Sequence, residues 1–313
     1  MSQSNVVRTS LTTQEPGPAR SVGEVWIAET PVQVESLVRD GVDSKSIRLL
    51  PPDGDPAERE RVLAAARSRD PVPWPAPTPQ RHRCLVVVPT YNEIDNLEPI
   101  VTAIRHHLDT EVLIVDDGSP DGTGDLADEL HRRWPSVHVL HRTAKEGLGK
   151  AYLAGFRWAL DRDYQRIFEM DADFSHAPWD LPRLVRATED AELVIGSRYR
   201  KGGNTSGWSW HRRLISQAGN FYTRTFLGYS VRDWTAGFRC FRAEMLRQLD
   251  FDAIESDGYG FQIEMTWRVR RAGGRIAEVP VHFVDRREGQ SKMTGGIARE
   301  AMLRVPAMRF KKR

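Results

Sequence analysis

From Arg81 to Gly196 short apolar runs alternate with stretches of helical periodicity, and this alternation limits the possible folds more than any other feature. The spacing predicts strands at Cys84–Val88, Glu111–Val115, Val137–Leu140, Ile167–Met170 and Leu193–Ile195. Helices are expected between them, at Leu97–Leu108, Thr123–Trp134, Lys150–Arg162 and Leu181–Thr188. Parallel neighbours in a sheet need a long crossover and a helix is the usual one, so the expected class is α/β, a mostly parallel central sheet flanked by helices. After Gly196 the alternation breaks. A helical stretch at Arg212–Leu227 precedes a mixed segment, 231–285, that contains a helix at Gln262–Ala272.

Residues 1–80 have a different character. Met1 to Arg20 is polar and patternless, a weak element is expected within Val22–Leu50, and Ala57–Arg67 reads as a short helix capped by Asp55 before Pro56. Proline then alternates through Asp70–Pro79, which predicts an extended, polyproline-like linker. The expected organisation is a largely flexible extension with a small folded patch over 1–80, an α/β body over 81–294 and a basic amphipathic tail over 295–313. A net charge of +2 makes no case for nucleic acid, which calls for a concentrated basic face. Cys84 and Cys240 are the only cysteines and give neither a disulfide framework nor a zinc pattern, which fits a reducing compartment. There is no basic-then-apolar leader pattern and no run of eighteen apolar residues. A cytoplasmic protein, soluble or peripherally attached, is expected.

Chemistry gathers where strands end. The run Arg166-Ile-Phe-Glu-Met-Asp-Ala-Asp-Phe-Ser-His176 delivers Asp171 and Asp173 to the C-terminal end of a buried strand, where open α/β sheets bind ligands. Hard carboxylate oxygens suit Mg²⁺ or Mn²⁺ bridging to substrate phosphates. If 169–173 is extended, Glu169, Asp171 and Asp173 share one face; the alternative is a loop of solvated acids or a helix cap. Pro89-Thr-Tyr-Asn-Glu93 follows the first strand, where Tyr91 is placed to stack on a base and Glu93 to accept from ring N–H or ribose hydroxyls; the alternative is a proline-started turn capped by Asn92. Asp116 and Asp117 follow the second strand and suit a ribose or base edge. Gly122-Thr-Gly-Asp-Leu-Ala127 matches a relaxed dinucleotide fingerprint, but six residues separate it from Val115 and the next strand ends in His141-Arg142 instead of an acid, so hydride transfer is set aside. Lys145-Glu-Gly-Leu-Gly-Lys150 lacks both the first glycine and the Ser/Thr of a P-loop and reads as a glycine-rich helix entrance. Arg198, Arg212-Arg213, Arg239, Arg286-Arg287 and Lys292 offer a phosphate clamp, against the alternative of solvated surface charge. Gln262 and Glu264, on the last expected helix, either face the site or cap and pair within the core.

In order, the segments VPTYNE, VDDGSPDGT, GLGKAY, EMDADFSH, GSRY, DWTAGFR, GYGFQIEM and REGQSK make the chain from about Arg83 to Lys292 resemble the family 2 glycosyltransferases of the GT-A nucleotide-sugar-binding fold. Within that family it is most similar to the polyprenol-monophosphate (dolichyl-phosphate) mannose synthases. The resemblance implies metal-dependent, inverting transfer of mannose from GDP-mannose to a polyprenyl phosphate. It implies that Pro89, Tyr91, Glu93, Asp116 and Asp117 hold the nucleoside, with Ala172, Arg239 and Lys292 also on the nucleotide-sugar. Asp171, Asp173 and Ser175 are the implied Mg²⁺ or Mn²⁺ set, Asp171 foremost and Asp173 nearest the sugar; many family members carry glutamine where Ser175 stands. Arg198, Arg213 and Arg287 are implied at the acceptor phosphate, Arg198 and Arg213 with a catalytic share. A lipid monophosphate, with a second pKa of about 6, is already mostly an anionic nucleophile at neutral pH, so no general base is needed. Ile297, Ala301, Met302, Val305, Met308 and Phe310 alternate with basic residues, so 211–227 and 295–313 are expected against an anionic membrane, alone or with a separate membrane-anchoring protein. Two other readings stay open: another donor such as UDP-glucose, or a non-catalytic nucleotide-sugar-binding subunit.

Overall fold

The computed structural model describes residues 20–22, 25–28, 47–49, 80–256, 258–284 and 304–309. The chain divides into two compact units, Met1–Trp74 and Pro75–Arg313. In the first, β1 (Arg20–Val22) runs antiparallel to β2 (Val25–Ala28), and β2 pairs in parallel with β3 (Ile47–Leu49). The helix expected at 57–67 and the proline-rich stretch lie outside the described residues.

The second unit is built on a seven-stranded sheet. Its strands are β4 (Cys84–Thr90), β5 (Glu111–Asp116), β6 (Val137–His141), β7 (Arg166–Glu169), β8 (Leu193–Ser197), β10 (Arg239–Arg242) and β11 (Ile276–Pro280), in the order β11-β8-β10-β7-β4-β5-β6. β4 pairs in parallel with β5 and β7, β5 with β6, and β8 with β11; β10 alone runs antiparallel, to both β7 and β8. A short parallel pair, β9 (Asn204–Ser206) with β12 (His282–Val284), stands apart.

Alternation along each strand builds two cores. Leu85 and Val87 of β4, Leu113 and Val115 of β5 and Ile167 of β7 face α3 (Leu148–Leu160) and α7 (Gly258–Arg271). Val86, Val88, Val112, Ile114 and Phe168 face the opposite way, onto α1 (Ile94–His107), α2 (Thr123–Arg133) and α4 (Leu181–Ala187). Strands buried on both faces read as continuous apolar runs, which is why CLVVV was legible as a central parallel strand. Each buried Val or Leu contributes about 1.5–3 kcal/mol. The close seat of α3 depends on Gly155, where a Cβ would come within 2.5 Å of Val87 Cγ1.

The chain leaves β4 toward β5 and β6, then crosses back to place β7 on the other side of β4. That reversal opens a crevice at the C-terminal ends of β4, β5 and β7. Four expected helices begin two to four residues earlier than their apolar periodicity suggests: α1 at Ile94, α3 at Leu148, the helix expected from Arg212 at Trp210, and α7 at Gly258. α5 (Trp210–Leu227) is capped by Ser209, whose hydroxyl accepts from Arg212 N. α6 (Ala243–Leu246) is a single turn after β10. No helix among the described residues is long and apolar enough to cross a membrane.

Candidate active site

β7 stops at Glu169, so the extended run expected through Asp173 does not form. The backbone bends over 172–176, with Phe174 at φ 59°, and this separates the three acids. Glu169 turns into the core, Asp173 is buried in the bend and Asp171 is half-buried at the crevice. Asp171 is held twice: Tyr152 Oη donates to Oδ1 at 3.1 Å, and its backbone N–H donates to His176 Nδ1 at 3.0 Å. His176 itself is stacked on Phe238, with ring centroids 5.1 Å apart. Asp173 Oδ1 accepts from Ser175 N at 3.0 Å, while the Ser175 hydroxyl is buried with no hydrogen-bond partner.

Among the described residues no three His, Cys, Asp or Glu side chains gather as a ready-made metal cage. The bend offers two carboxylates and one orphaned hydroxyl, all hard oxygen donors. That set fits Mg²⁺ or Mn²⁺, which are held by one or two carboxylates with water and substrate phosphates completing the shell. It does not fit structural zinc, which takes nitrogen and sulfur ligands.

The neighbouring strand ends form the second wall. Pro89 and Tyr91 are half-buried at the end of β4, and Lys145 Nζ lies 3.9 Å above the centre of the Tyr91 ring. Glu93 is half-buried and accepts from Asn96 Nδ2 at 3.0 Å. Asp116 and Asp117 differ in role. Asp116 spends both oxygens on the turn itself, accepting from Thr90 Oγ1, Gly118 N, Ser119 N and Ser119 Oγ at 2.6–3.2 Å. It therefore shapes the turn after β5, with both oxygens engaged in this arrangement. Asp117 accepts from Arg142 Nη1 at 2.6 Å, and burial raises its pKa although Arg142 and its hydrogen bond pull the other way. Asp117 is the better placed of the two to meet a ribose or base.

The basic residues divide more sharply. Arg239 is fully buried: Nε donates to Ala236 O at 2.7 Å, Nη1 to Gln262 O at 2.9 Å and Nη2 to Trp234 O at 3.1 Å. The guanidinium of Arg239, expected on the nucleotide-sugar, here holds the 234–236 loop against α7. Its pKa is lowered to about 10 by burial, and its nearest acid is Glu169, 3.9 Å from Nε. Burial pushes Glu169 up to about 7 against the pull of Arg239, and neither carboxylate oxygen has a hydrogen-bond partner. The Gln262 amide lies close enough to favour the charged form of Glu169, yet none of its polar atoms reaches good hydrogen-bond geometry. Glu264 pairs, accepting from Arg268 Nε at 2.9 Å and Ser256 N at 3.2 Å.

Arg198 is buried and forked onto Asp233, with Nε at 2.7 Å and Nη2 at 2.6 Å, and Nη2 also donates to Thr235. Burial opposes its charge, but Asp233 outweighs burial and the pKa moves up. Of its guanidinium nitrogens, Nη1 alone makes no hydrogen bond within the described residues. Arg213 is exposed at the start of α5, with Nη2 donating to Thr205 O at 2.6 Å. Arg212 instead packs over the Trp208 ring at 4.4 Å, which leaves Arg213 the better phosphate candidate of the two. Arg287 and Lys292, with most of the C-terminal tail, lie outside the described residues. Of the tail residues expected at a membrane, Val305 and Met308 are buried in the α3/α7 core, because residues 304–309 form a turn of helix whose apolar side meets the body.

Three strand ends, an acidic bend and two arginines gather the chemistry-bearing side chains that the transferase motifs led us to expect. The chain matches the model of "Glycosyl transferase family 2" over residues 85–253 and belongs to that family. Within it, the chain is 54% identical over 224 residues to an undecaprenyl-phosphate mannosyltransferase of Micrococcus luteus, covering 71% of this chain and 92% of that one. It is 50% identical over 234 residues to a polyprenol monophosphomannose synthase of Mycolicibacterium smegmatis, covering 74% and 88%. The chain is thus a member of the polyprenol-monophosphate mannose synthases, as its motifs led us to expect. Among solved structures it is similar in fold to glucosyl-3-phosphoglycerate synthase from Mycobacterium tuberculosis. The complex with UDP aligns at TM-score 0.53 and 20% identity over 73% of this chain and 80% of that one. The complex with Mn²⁺, UDP and phosphoglyceric acid aligns at 0.55 and 21% over 74% and 80%.

Proposed function

We propose that this glycosyltransferase moves mannose from GDP-mannose to a polyprenyl phosphate, with inversion at the anomeric carbon and with Mg²⁺ or Mn²⁺ at the diphosphate. The observation that carries the reading is the pairing of a half-buried, anchored Asp171 with a nucleoside corner at the adjacent strand ends. Tyr91 offers a ring face to the base, and Glu93 and Asp117 offer acceptors to the ribose or base edge. Asp171 and Asp173 would hold the ion, with the Ser175 hydroxyl in reach of its shell. When bound, the ion supplies Lewis-acid neutralisation of the departing diphosphate. Arg213 and the spare donor of Arg198 position the acceptor phosphate, and Arg287 and Lys292 are proposed as further phosphate partners. A phosphate oxygen forms the new bond to the anomeric carbon as the donor C–O bond breaks. The incoming group is already anionic, so the protein's work is alignment and charge, and no base is required. An α-linked donor then gives a β-linked product. Isotopic transfer with GDP-mannose and UDP-glucose side by side tests the donor: label reaching lipid only from UDP-glucose would overturn the assignment.

The acceptor has a membrane-bound tail, and α5 offers a surface for it. Trp210, Leu214, Ile215 and Phe221 are 67%, 58%, 56% and 63% exposed, and Trp210, Leu214 and Phe221 lie on one stripe at helical spacing. His211, Arg212 and Arg213 begin the same helix. Apolar residues beside cations suit an anionic bilayer surface, here proposed to be the cytoplasmic face. The protein is expected to float with phosphatidylglycerol vesicles, and Leu214→Glu with Phe221→Glu to stay at the bottom of the gradient without loss of thermal stability. Equal flotation of the double variant would rule out α5 as the attachment.

A further inference from the structure

Tyr152 was not among the site residues that the sequence suggested, yet its hydroxyl touches the acid on which the proposed chemistry depends. Its ring is fully buried on α3, stacked between Phe156 at 6.3 Å and Phe261 at 6.2 Å, the second nearly coplanar at 7°. The first turn of α3 comes this close to α7 because position 149 is glycine: a Cβ there would lie 2.9 Å from Phe261 Cδ2. The stack leaves the phenol one direction to point, and Oη donates to Asp171 Oδ1 at 3.1 Å. Asp171 Oδ2 accepts no hydrogen bond among the described residues. One oxygen of the carboxylate is therefore pinned and the other is presented.

We propose that Tyr152 is a positioning residue for the metal carboxylate: it pins Oδ1 of Asp171 and leaves Oδ2 as the oxygen that would serve Mg²⁺ or Mn²⁺. The proposal rests on the reading of Asp171 as a metal ligand and adds the group that orients it. Partners that hydrogen-bond to ligating carboxylates typically change metal affinity ten- to a hundredfold when removed. A dianionic acceptor and a departing diphosphate tolerate little error in where the ion sits.

The test is Mn²⁺ binding to the full chain in the presence of GDP, read from the free-ion electron paramagnetic resonance signal, alongside GDP affinity without metal and the unfolding temperature. Tyr152→Phe keeps the stack and removes only the hydroxyl. It is expected to weaken Mn²⁺ binding by about tenfold or more, with metal-free GDP affinity unchanged. Phe156→Leu, which loosens the same stack and keeps the hydroxyl, is expected to lower the unfolding temperature and leave Mn²⁺ affinity near wild type. Asp171→Asn serves as the reference and is expected to lose Mn²⁺ binding. If Asp171→Asn loses the ion while Tyr152→Phe binds it as wild type does, the positioning role is refuted and the metal reading stands. If Tyr152→Phe and Phe156→Leu lose affinity equally, Tyr152 is only packing and the proposal fails. If Asp171→Asn binds Mn²⁺ normally, the metal reading fails and this proposal with it.

Discussion

Asp171→Ala is expected to lower mannosyl transfer by about three orders of magnitude while leaving a folded protein. Neutralising a departing diphosphate is worth several kcal/mol of transition-state stabilisation, and each 1.36 kcal/mol is a factor of ten. The structural cost is small by comparison. Asp171 is half-buried, and its carboxylate accepts one hydrogen bond, from Tyr152. Losing that partner orphans one buried hydroxyl, at about 1–3 kcal/mol. The anchor to His176 runs through the backbone N–H and survives the substitution. Steady-state transfer measured beside a urea melt checks both halves. Activity within a few-fold of wild type would remove Asp171 from the chemistry.

Arg239→Met is expected to act in the opposite way, costing stability first. The guanidinium is fully buried, satisfies three backbone carbonyls and faces Glu169 across 3.9 Å. Removing one partner of a buried pair typically costs about 3–5 kcal/mol, because the other charge is left uncompensated. The remaining charge can escape by taking a proton. Glu169 has its folded pKa raised by burial to about 7 from an ordinary 4.5. A raised carboxyl binds its proton more tightly in the folded state, so that stabilisation is fully present below about pH 4.5 and is lost as pH rises through about 7. The wild-type protein should therefore lose urea resistance between pH 5 and pH 8 through this group, and Glu169→Gln should flatten that slope. In the Arg239→Met background the loss should be larger at pH 8 than at pH 5.5, and adding Glu169→Gln should restore part of it. An unchanged urea midpoint with weakened donor binding would instead return Arg239 to the nucleotide-sugar role that the sequence suggested.

The sheet was legible because buried parallel strands are written as unbroken apolar runs: CLVVV and VLIV mark β4 and β5, which run on to Thr90 and Asp116, two residues and one beyond the expected ends. The antiparallel insertion of β10 between β7 and β8 was not, since Arg239-Cys-Phe-Arg242 carries two arginines and no alternation that fixes a direction. The acidic bend could be found from Asp171-Ala-Asp173, but not its shape. A local left-handed residue at Phe174 and the bend around it set which acid points out, and neither is encoded by periodicity. Arg239 and Arg198 show the limit of reading charges along a chain: a guanidinium forked onto a carboxylate with one nitrogen to spare and one that holds a loop look the same in sequence. Only burial and the partners Trp234, Ala236, Gln262 and Asp233 separate them. Tyr152 stands within the GLGKAY segment, and nothing in its spacing says that its hydroxyl would reach Asp171.

The most direct measurement is product formation by the purified full chain with radiolabelled GDP-mannose, Mn²⁺ and a short polyprenyl phosphate. The expected result is label in the organic phase, dependent on the divalent ion, as a β-mannosyl phospholipid. Label that stays aqueous under these conditions, or an α-linked product, would contradict single-displacement transfer from GDP-mannose at this site.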